Sequence, residues 1–416
     1  MSGEGRGIVK EEHVREPERQ TPVAADADVL VAGGGPAGIA AALAAARAGA
    51  RTLLLERYGY LGGMVTGAYV IWILGAGDGV RPKVRGVTRE IYERMAALGA
   101  AQALDECGDY RVDAEMFKWQ AVEMLEEAGA RIRLHTLACA PLMQGNRVAG
   151  VLAESKSGRE AFRARVTVDA TADADLAFRA GCACENATHE ITLGMTVTGV
   201  NEERAAGFRR ASPGEYEAII VEAQALNGGK LPGETRLVDG VDVTDADELT
   251  RAEIGLRREG FRALVFLRER LPGYENAQIS LTWPQLGARL SRRIVGEYVL
   301  RDDDLSGSRW FDDGVGRMGV YFPDWGPNYQ ITGLDYDVPY RCLVPRDVDG
   351  LLVAGRCVSA DAAAGNTMRL IVPCLVTGQA AGVAAALAAR DGVAPRDVSV
   401  KVLRAALREQ GVNLGE

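Results

Sequence analysis

The stretch Asp28 to Glu56, DVLVAGGGPAGIAAALAAARAGARTLLLE, constrains this 416-residue chain more than any other. Val29 to Ala32 form the short apolar run of a buried parallel strand, and Gly33, Gly35 and Gly38 follow at once in G-x-G-x-x-G spacing. Gly33 suits the tight turn, Gly35 leaves backbone bare toward a pyrophosphate, and Gly38 lets the next helix lie on the sheet. Pro36 and Ala37 open that helix, where the missing N–H of proline costs nothing. Its unpaired first-turn N–H groups, with roughly half a positive charge from the helix dipole, can dock a diphosphate without a lysine. Thr52 to Leu55 then read as a second strand, ending in Glu56, an acid able to accept hydrogen bonds from both ribose hydroxyls of an adenosine. The chain holds 50 glycines, so the spacing alone arises by chance. Strand, glycines, alanine-rich helix, strand and acid in that order do not, and they predict an adenine dinucleotide site.

At 44.4 kDa the chain exceeds one ordinary core, so two domains are expected. A net charge of −9 without a long basic run argues against nucleic acid as a partner. The charged N-terminus lacks the apolar core of a signal peptide, and no uninterrupted apolar span predicts a transmembrane helix. Ile371 to Ala389 holds Pro373, Gly378 and Gly382 and reads as a buried helix. Seven scattered cysteines, with only Cys182 and Cys184 close together, predict reduced thiols and a cytoplasmic location. His13, His135 and His189 are not paired on one helical face, so no metal centre is expected.

Along the chain, residues 1–25 form a polar arm, and residues 26–185 the first part of a nucleotide-binding domain. Within it, a Gly62–Gly63 pair allows close backbone approach to a flat or charged group. Val87–Ala97 and Asp113–Glu127 have helical spacing, the second ending before Gly129. Arg131 to Thr136 alternates like a strand, and Leu137 follows where an adenine ring could meet the backbone. Arg147–Glu154 and Ala161–Val168 read as a hairpin, and VTVDATADADLAFRAG as a further strand running into small residues and acids, including Ala170, Thr171 and Asp173. Residues 186–335 change character, with two charged amphipathic helices near Ala246 to Arg270, and read as an inserted domain. Residues 336–392 return to the first domain with a strand at Leu351 to Ala354 and a small-residue helix from Pro373; residues 393–416 form a C-terminal helical extension. The expected class is α/β: a Rossmann-like domain, parallel sheet plus hairpin layer, with an inserted α+β substrate or cap domain.

NAD and FAD both satisfy the first motif, and the return segment favours FAD. A second helix N-terminus, Leu370 to Leu375, would meet the second anionic locus that a flavin ring supplies. At this point DVLVAGGGPAG, ERYGYLGGM, VDAEMFK, VDATADADLAFRAG, LGARLSRRIVGEYVL, VPYRCLVP and LLVAGRCVSA followed by GQAAGVAAALA resemble a bacterial family of FAD-dependent oxidoreductases related to the fumarate reductase and ketosteroid dehydrogenase flavoproteins. The resemblance implies non-covalent FAD. Its ADP half lies on Gly33, Gly35, Gly38 and Glu56, its diphosphate and ribityl chain near Arg57, Gly62, Gly63, Gly355 and Arg356, its adenine near Leu137. The ring lies near Met64 and Arg369, Leu370, Ile371 and Val372. Histidines that relatives place after the VSA segment and in a D-x-H pattern are replaced here by Asp361 to Met368 and by Val320 to Asp324.

Such a flavoprotein moves hydride between flavin N5 and a small organic substrate at a C–H, C=C or C–N bond. No C-x-x-C pair is present, so electrons are expected to leave to dioxygen, a quinone or a protein carrier. Arg289 and Tyr340 are the catalytic candidates, and Arg292 and Asn366 the substrate-binding ones, because arginine offers a planar fork to a carboxylate and tyrosine can shuttle a proton. The plainer alternative has Arg292 and Arg293 pairing with Glu297 on a helix. Cys342 and Cys374 could face the ring. A flavin monooxygenase and a catalytically degenerate flavin-binding subunit are the alternative functions, and nothing in the chain argues against a homo-oligomer.

Overall fold

The computed structural model describes residues 14–320 and 334–415. Strand β1 (Val23–Ala32) runs into helix α1 (Pro36–Arg47) and strand β2 (Thr52–Leu55), as the glycine motif requires. Helices α2 (Met64–Gly67), α3 (Val87–Ala97) and α4 (Ala114–Glu127) follow; the Asp113 carboxylate accepts the Met116 N–H and caps α4. Next come β3 (Arg131–Arg133), β4 (Leu137–Gln144), β5 (Arg147–Ser155) and β6 (Gly158–Asp169). Helix α5 (Ala246–Arg270) crosses the middle segment, and the chain returns as β7 (Leu351–Val353), α6 (Ala362–Met368) and α7 (Ile371–Asp391).

One mixed sheet organises these elements. Strands β3, β2, β1 and β6 pair side by side and parallel. The first half of β6 continues into the antiparallel meander β5–β4, while its last residues, Thr167 to Asp169, pair in parallel with β7. Viewed from the C-terminal ends, the parallel order is therefore β3, β2, β1, β6, β7. Alternation sorts the core. Val29, Val31 and Leu54 pack with α1 and α7, whereas Leu30, Leu53 and Leu55 pack with Val151, Ala153 and Phe162 of the meander. Burial on both faces explains why β1 and β2 read as unbroken apolar runs.

Helices α1 and α7 approach backbone to backbone. A methyl group on Gly378 would lie 2.2 Å from the Ala37 carbonyl oxygen, and one on Gly382 would lie 2.1 Å from that of Ala41. The small residues of α7 are thus a packing requirement. This helix is long and apolar enough to cross a bilayer, and its apolar stretch is entirely buried inside the fold.

Several expectations need correction. The two helices expected near Ala246 to Arg270 are the single helix α5, capped by Asp245, which accepts the N–H groups of Asp247 and Glu248. Gly260 does not interrupt it, because Met195 packs where a side chain would stand. The hairpin strand and the strand VTVD are one strand, β6. Strand β4 was not foreseen, since Pro141 and two register shifts blur its alternation. Helix α7 starts at Ile371 rather than Pro373, and α6, capped by Asp361, went unnoticed. LGARLSRRIVGEYVL is largely irregular, with only a two-residue strand at Arg293–Ile294. The division at residues 186 and 336 is a proposed one. Small clusters around Leu193 with Leu256 and around Ile220 with Leu267 lie within that segment, whereas Leu300, Phe311 and Met318 join the largest core. The sequence reading of Tyr321 to Asp324 lies outside the described residues, as does His13.

Candidate functional site

The C-terminal ends of the five parallel strands each contribute to one cavity of about 450 Å³. Thr136 and Leu137 follow β3; Glu56 and Arg57 follow β2; Gly33 and Gly35 follow β1; Ala170 and Thr171 follow β6; Gly355 and Arg356 follow β7. Strands about 4.8 Å apart make this strip roughly 19 Å long, the reach of an extended dinucleotide across the tips of an open sheet.

The glycine motif has the shape such a ligand needs. Gly33 has φ +104°, and a methyl there would strike the Ala170 carbonyl oxygen at 2.4 Å. A methyl on Gly38 would lie 1.8 Å from the Gly33 carbonyl oxygen. A methyl on Gly35 would meet only Gly63 Cα, at 3.8 Å, so this glycine faces the cavity rather than protein. Ile39 N–H donates to Gly35 O, which leaves the N–H groups of Ala37 and Gly38 directed out of the helix. Gly62 N–H donates to Gly34 O, at 2.8 Å, bringing the glycine doublet onto the same turn.

Glu56 is 7 % exposed. Its Oε2 accepts the Gly34 N–H at 2.6 Å and its Oε1 accepts the Tyr58 N–H at 2.8 Å. The acid therefore ties β2 to the glycine turn, with lone pairs left for ribose hydroxyls. At the other end, α7 points its N-terminus at the cavity. Cys374 N–H is already bonded to Leu370 O, so the free N–H groups are those of Ile371 and Val372.

Arg356 is 7 % exposed and joins three segments. Its Nε donates to Ala172 O at 3.0 Å, its Nη1 to Ala288 O at 2.8 Å, and its Nη2 to the Asp173 carboxylate at 2.6 Å. Ser291 Oγ donates to that same carboxylate. Ala172 and Ala174 on this loop have φ +75° and +52°, conformations that alanine adopts only when the surroundings enforce them. The Arg356 guanidinium thus braces the cavity wall.

Most expected cofactor residues line the cavity: Gly33, Gly35, Pro36, Ala37, Glu56, Arg57, Gly63, Met64, Leu137, Ala170, Thr171, Asp173, Gly355, Arg356, Arg369, Leu370 and Ile371. Gly38, Gly62 and Val372 stand behind that surface. Among the substrate candidates only Arg289 reaches it, where Nη1 donates to Glu190 at 2.8 Å. Tyr340 is a correction: it is buried away from the cavity, and its hydroxyl donates to Pro395 O at 2.7 Å. Arg292 is another, held by Asp175 at 2.7 Å and stacked over Phe178. Its expected helical pairing with Glu297 fails, because Glu297 pairs with Arg396. Asn366 accepts a hydrogen bond from Arg369 Nε and so stands behind the cavity. Cys342 is fully buried elsewhere; Cys374 lines the cavity, and burial pushes its thiol up to about 12, so it stays protonated.

Two parts of the wall escaped the sequence. Val70, Trp72 and Leu74 form one apolar flank, and Thr192, Trp283, Gln285 and Gly287 close another. The aromatic run after the glycine doublet signalled the first; no motif signalled the second. His189 lies beside this second flank, pulled below the ordinary histidine range first by burial and then by the positive charges of Arg369 and Arg289.

Residues 28–195 and 186–407 match the model of a protein family described as FAD dependent oxidoreductase. Digeranylgeranylglycerophospholipid reductase 1 of Methanopyrus kandleri is 35 % identical over 146 residues, 34 % of this chain and 39 % of that protein. The matched stretch spans about two fifths of the length of the curated relatives. A geranylgeranyl bacteriochlorophyll reductase-like structure from Thermoplasma acidophilum is 15 % identical, covering 93 % of this chain and 84 % of its own, with a TM-score of 0.41. A flavocytochrome c3 fumarate reductase is a distant likeness at 12 % identity, covering 88 % and 79 %, with a TM-score of 0.39.

Proposed function

The chain belongs to the FAD dependent oxidoreductase family, and from that premise we propose that its enzymatic task is hydride exchange with a small organic substrate at a C–H, C=C or C–N bond. FAD is the cofactor, and the cavity's chemistry suits it. Gly35 offers bare backbone, Ala37 and Gly38 offer free N–H groups, Glu56 offers carboxylate lone pairs, and α7 offers a second electropositive helix end. In this reading Glu56 and Leu137 hold the adenosine. Gly33, Gly35, Pro36, Ala37 and Gly63 take the diphosphate, Gly355, Ala170 and Thr171 flank the linker, and Met64 with Arg369 to Ile371 face the ring. When bound, FAD supplies a hydride acceptor or donor at its N5 atom.

The observation that carries this reading is the placement of β7 and α7. Residues more than 300 positions after the glycine motif complete the same strip of strand tips, and Gly355 packs against Ala37. A nicotinamide site would need only the first βαβ unit and the strands beside it. Kinship with the fumarate reductase and ketosteroid dehydrogenase flavoproteins, and transfer of electrons to dioxygen, a quinone or a protein carrier, are parts of the same proposal. Purified protein is expected to be yellow and to release FAD on heating, and a substrate screen should reveal the compound that bleaches the flavin band. Folded, colourless protein that refuses added FAD would overturn the reading.

A second reading, reduction of an isoprenoid double bond, draws on the curated relatives' names and on the apolar flank of Val70, Trp72, Leu74 and Trp283. Reduced enzyme whose flavin band does not return when geranylgeranyl compounds are added without dioxygen would reject it.

A further inference from the structure

The second flank of the cavity carries chemistry that the cofactor reading does not use. Thr192, Trp283, Gln285 and Gly287 line it, and none of them belongs to the five strand tips or to the turn before α7. They meet through backbone: Gly287 N–H donates to Thr192 O at 2.8 Å, and Thr192 N–H donates to Gly287 O at 3.2 Å. Gln285 N–H donates to Gly67 O, the last residue of α2, at 3.0 Å. That bond ties the flank to the helix that begins with Met64, so it stands next to the place proposed for the flavin ring.

Gln285 is the group that asks for a ligand. It is 9 % exposed, and its Oε1 is buried with no hydrogen-bond partner among the described residues. Its amide is wedged against Gly67, where a methyl would lie 2.8 Å from both Cδ and Nε2. Half a turn about Cγ–Cδ exchanges the amide oxygen and nitrogen at little cost, so the oxygen can be presented to the cavity. A ligand that donates to it recovers desolvation that the protein alone leaves uncompensated. Thr192 is also buried, and a methyl on Gly287 would lie 2.2 Å from its Oγ1, so the missing side chain at 287 leaves room at that hydroxyl. Trp283 packs its indole over Gly194, where a methyl would lie 2.1 Å from Cε2. None of these four residues carries a charge, and Arg289, two positions further on, is engaged with Glu190.

We propose that Gln285 and Thr192 form a substrate subsite for an alcohol, whose carbon skeleton lies against Trp283. A hydroxyl donates once and accepts twice, so it can donate to the Gln285 amide oxygen while it accepts from the Thr192 hydroxyl. The apolar side chains of Val70 and Leu74 on the other flank suit the rest of such a molecule. The inference rests on the flavoenzyme reading for its meaning, and binding alone tests it.

The probes are benzyl alcohol and cyclohexanol with their methyl ethers, which accept hydrogen bonds but cannot donate them. They are titrated into the FAD-loaded protein with flavin absorbance and tryptophan fluorescence as readouts. Each alcohol is expected to bind about 5- to 10-fold tighter than its ether. Gln285→Leu keeps the bulk and removes the acceptor, and should erase that preference while leaving FAD affinity unchanged. Thr192→Val should weaken alcohol binding by about 3- to 10-fold, and it decides the matter if Gln285→Leu fails to fold. Equal binding of alcohol and ether by yellow, folded protein, or wild-type alcohol affinity in the folded variants, would overturn the subsite. A fall in the FAD affinity of Gln285→Leu would assign its amide to the cofactor and overturn the subsite as well. If the protein takes up no FAD, the cofactor reading fails separately, and the same titration by tryptophan fluorescence decides the subsite.

Discussion

Gly378 of helix α7 stands directly on Ala37 of helix α1, so close that an added methyl would lie 2.2 Å from the Ala37 carbonyl oxygen. Two segments separated by more than 300 residues are joined there without an intervening side chain, and the joint lies immediately behind the glycine motif.

This contact predicts a large penalty for a small change. Gly378→Ala forces backbone apart in a fully buried seam and should lower stability by about 3 kcal/mol or more, against about 1 kcal/mol for an ordinary overpacking methyl. Urea unfolding measures the loss, and FAD content per folded chain should fall with it. An unchanged midpoint would mean that the helices are not packed this closely.

Glu56 links cofactor binding to the turn itself. Glu56→Ala leaves the buried N–H of Gly34 and the half-buried N–H of Tyr58 without acceptors, a loss of about 2–3 kcal/mol, and removes the proposed ribose acceptor. Equilibrium dialysis should show FAD affinity falling at least 10-fold, and Glu56→Gln, which keeps one acceptor oxygen, should fall in between. Wild-type affinity in Glu56→Ala would remove this residue from the site.

Arg356 predicts a local effect. Arg356→Ala strands two carbonyl groups and the Asp173 carboxylate, and should destabilise the fold by about 3 kcal/mol. Hydrogen exchange should speed up at both 172–175 and 286–292, on either side of the lost guanidinium. Faster exchange confined to 356 and its neighbours would show that the bridge carries no strain.

Asp109 sets a pH dependence. It is 6 % exposed, its Oδ1 accepts the N–H groups of Gly75 and Ala76, and burial pushes its carboxyl up to about 7. Because its folded-state pKa exceeds the unfolded value, the folded protein binds more protons between about pH 4 and pH 7, and stability falls as pH rises through that window. Asp337, raised by burial to about 6, acts in the same direction. Asp109→Asn keeps the acceptor oxygen and removes the charge, so it should flatten the slope and be the more stable protein at pH 8, by up to a few kcal/mol. Parallel slopes in variant and wild type from pH 5 to 8 would contradict this.

The nucleotide half of the fold was legible because its demands are local. Gly33, Gly35, Gly38 and Glu56 each answer a constraint within one βαβ unit, α3 and α4 carry their periodicity in their own residues, and Asp113 caps α4. The substrate wall was not legible. Gln285 comes from an irregular segment and Thr192 from a three-residue strand, Ile191–Leu193, and tertiary partners fix both, as in the bond from Gly287 N–H to Thr192 O. Tyr340 was misplaced for a similar reason: its burial against Pro395, 55 residues further on, is set by a tertiary contact that its sequence neighbours do not encode. Helix α5 read as two because glycines inside a helix look like breaks until the packing partner of Gly260, Met195, is known.

The central claim is that five strand tips, from two distant parts of the chain, share one FAD. Hydrogen exchange compared between FAD-loaded and FAD-stripped protein tests it most directly. The account predicts protection on loading at 33–38, 56–64, 136–138, 170–173, 355–356 and 369–374 together. Protection limited to 33–38 and 56–64, with 355–356 and 369–374 unchanged, would contradict it.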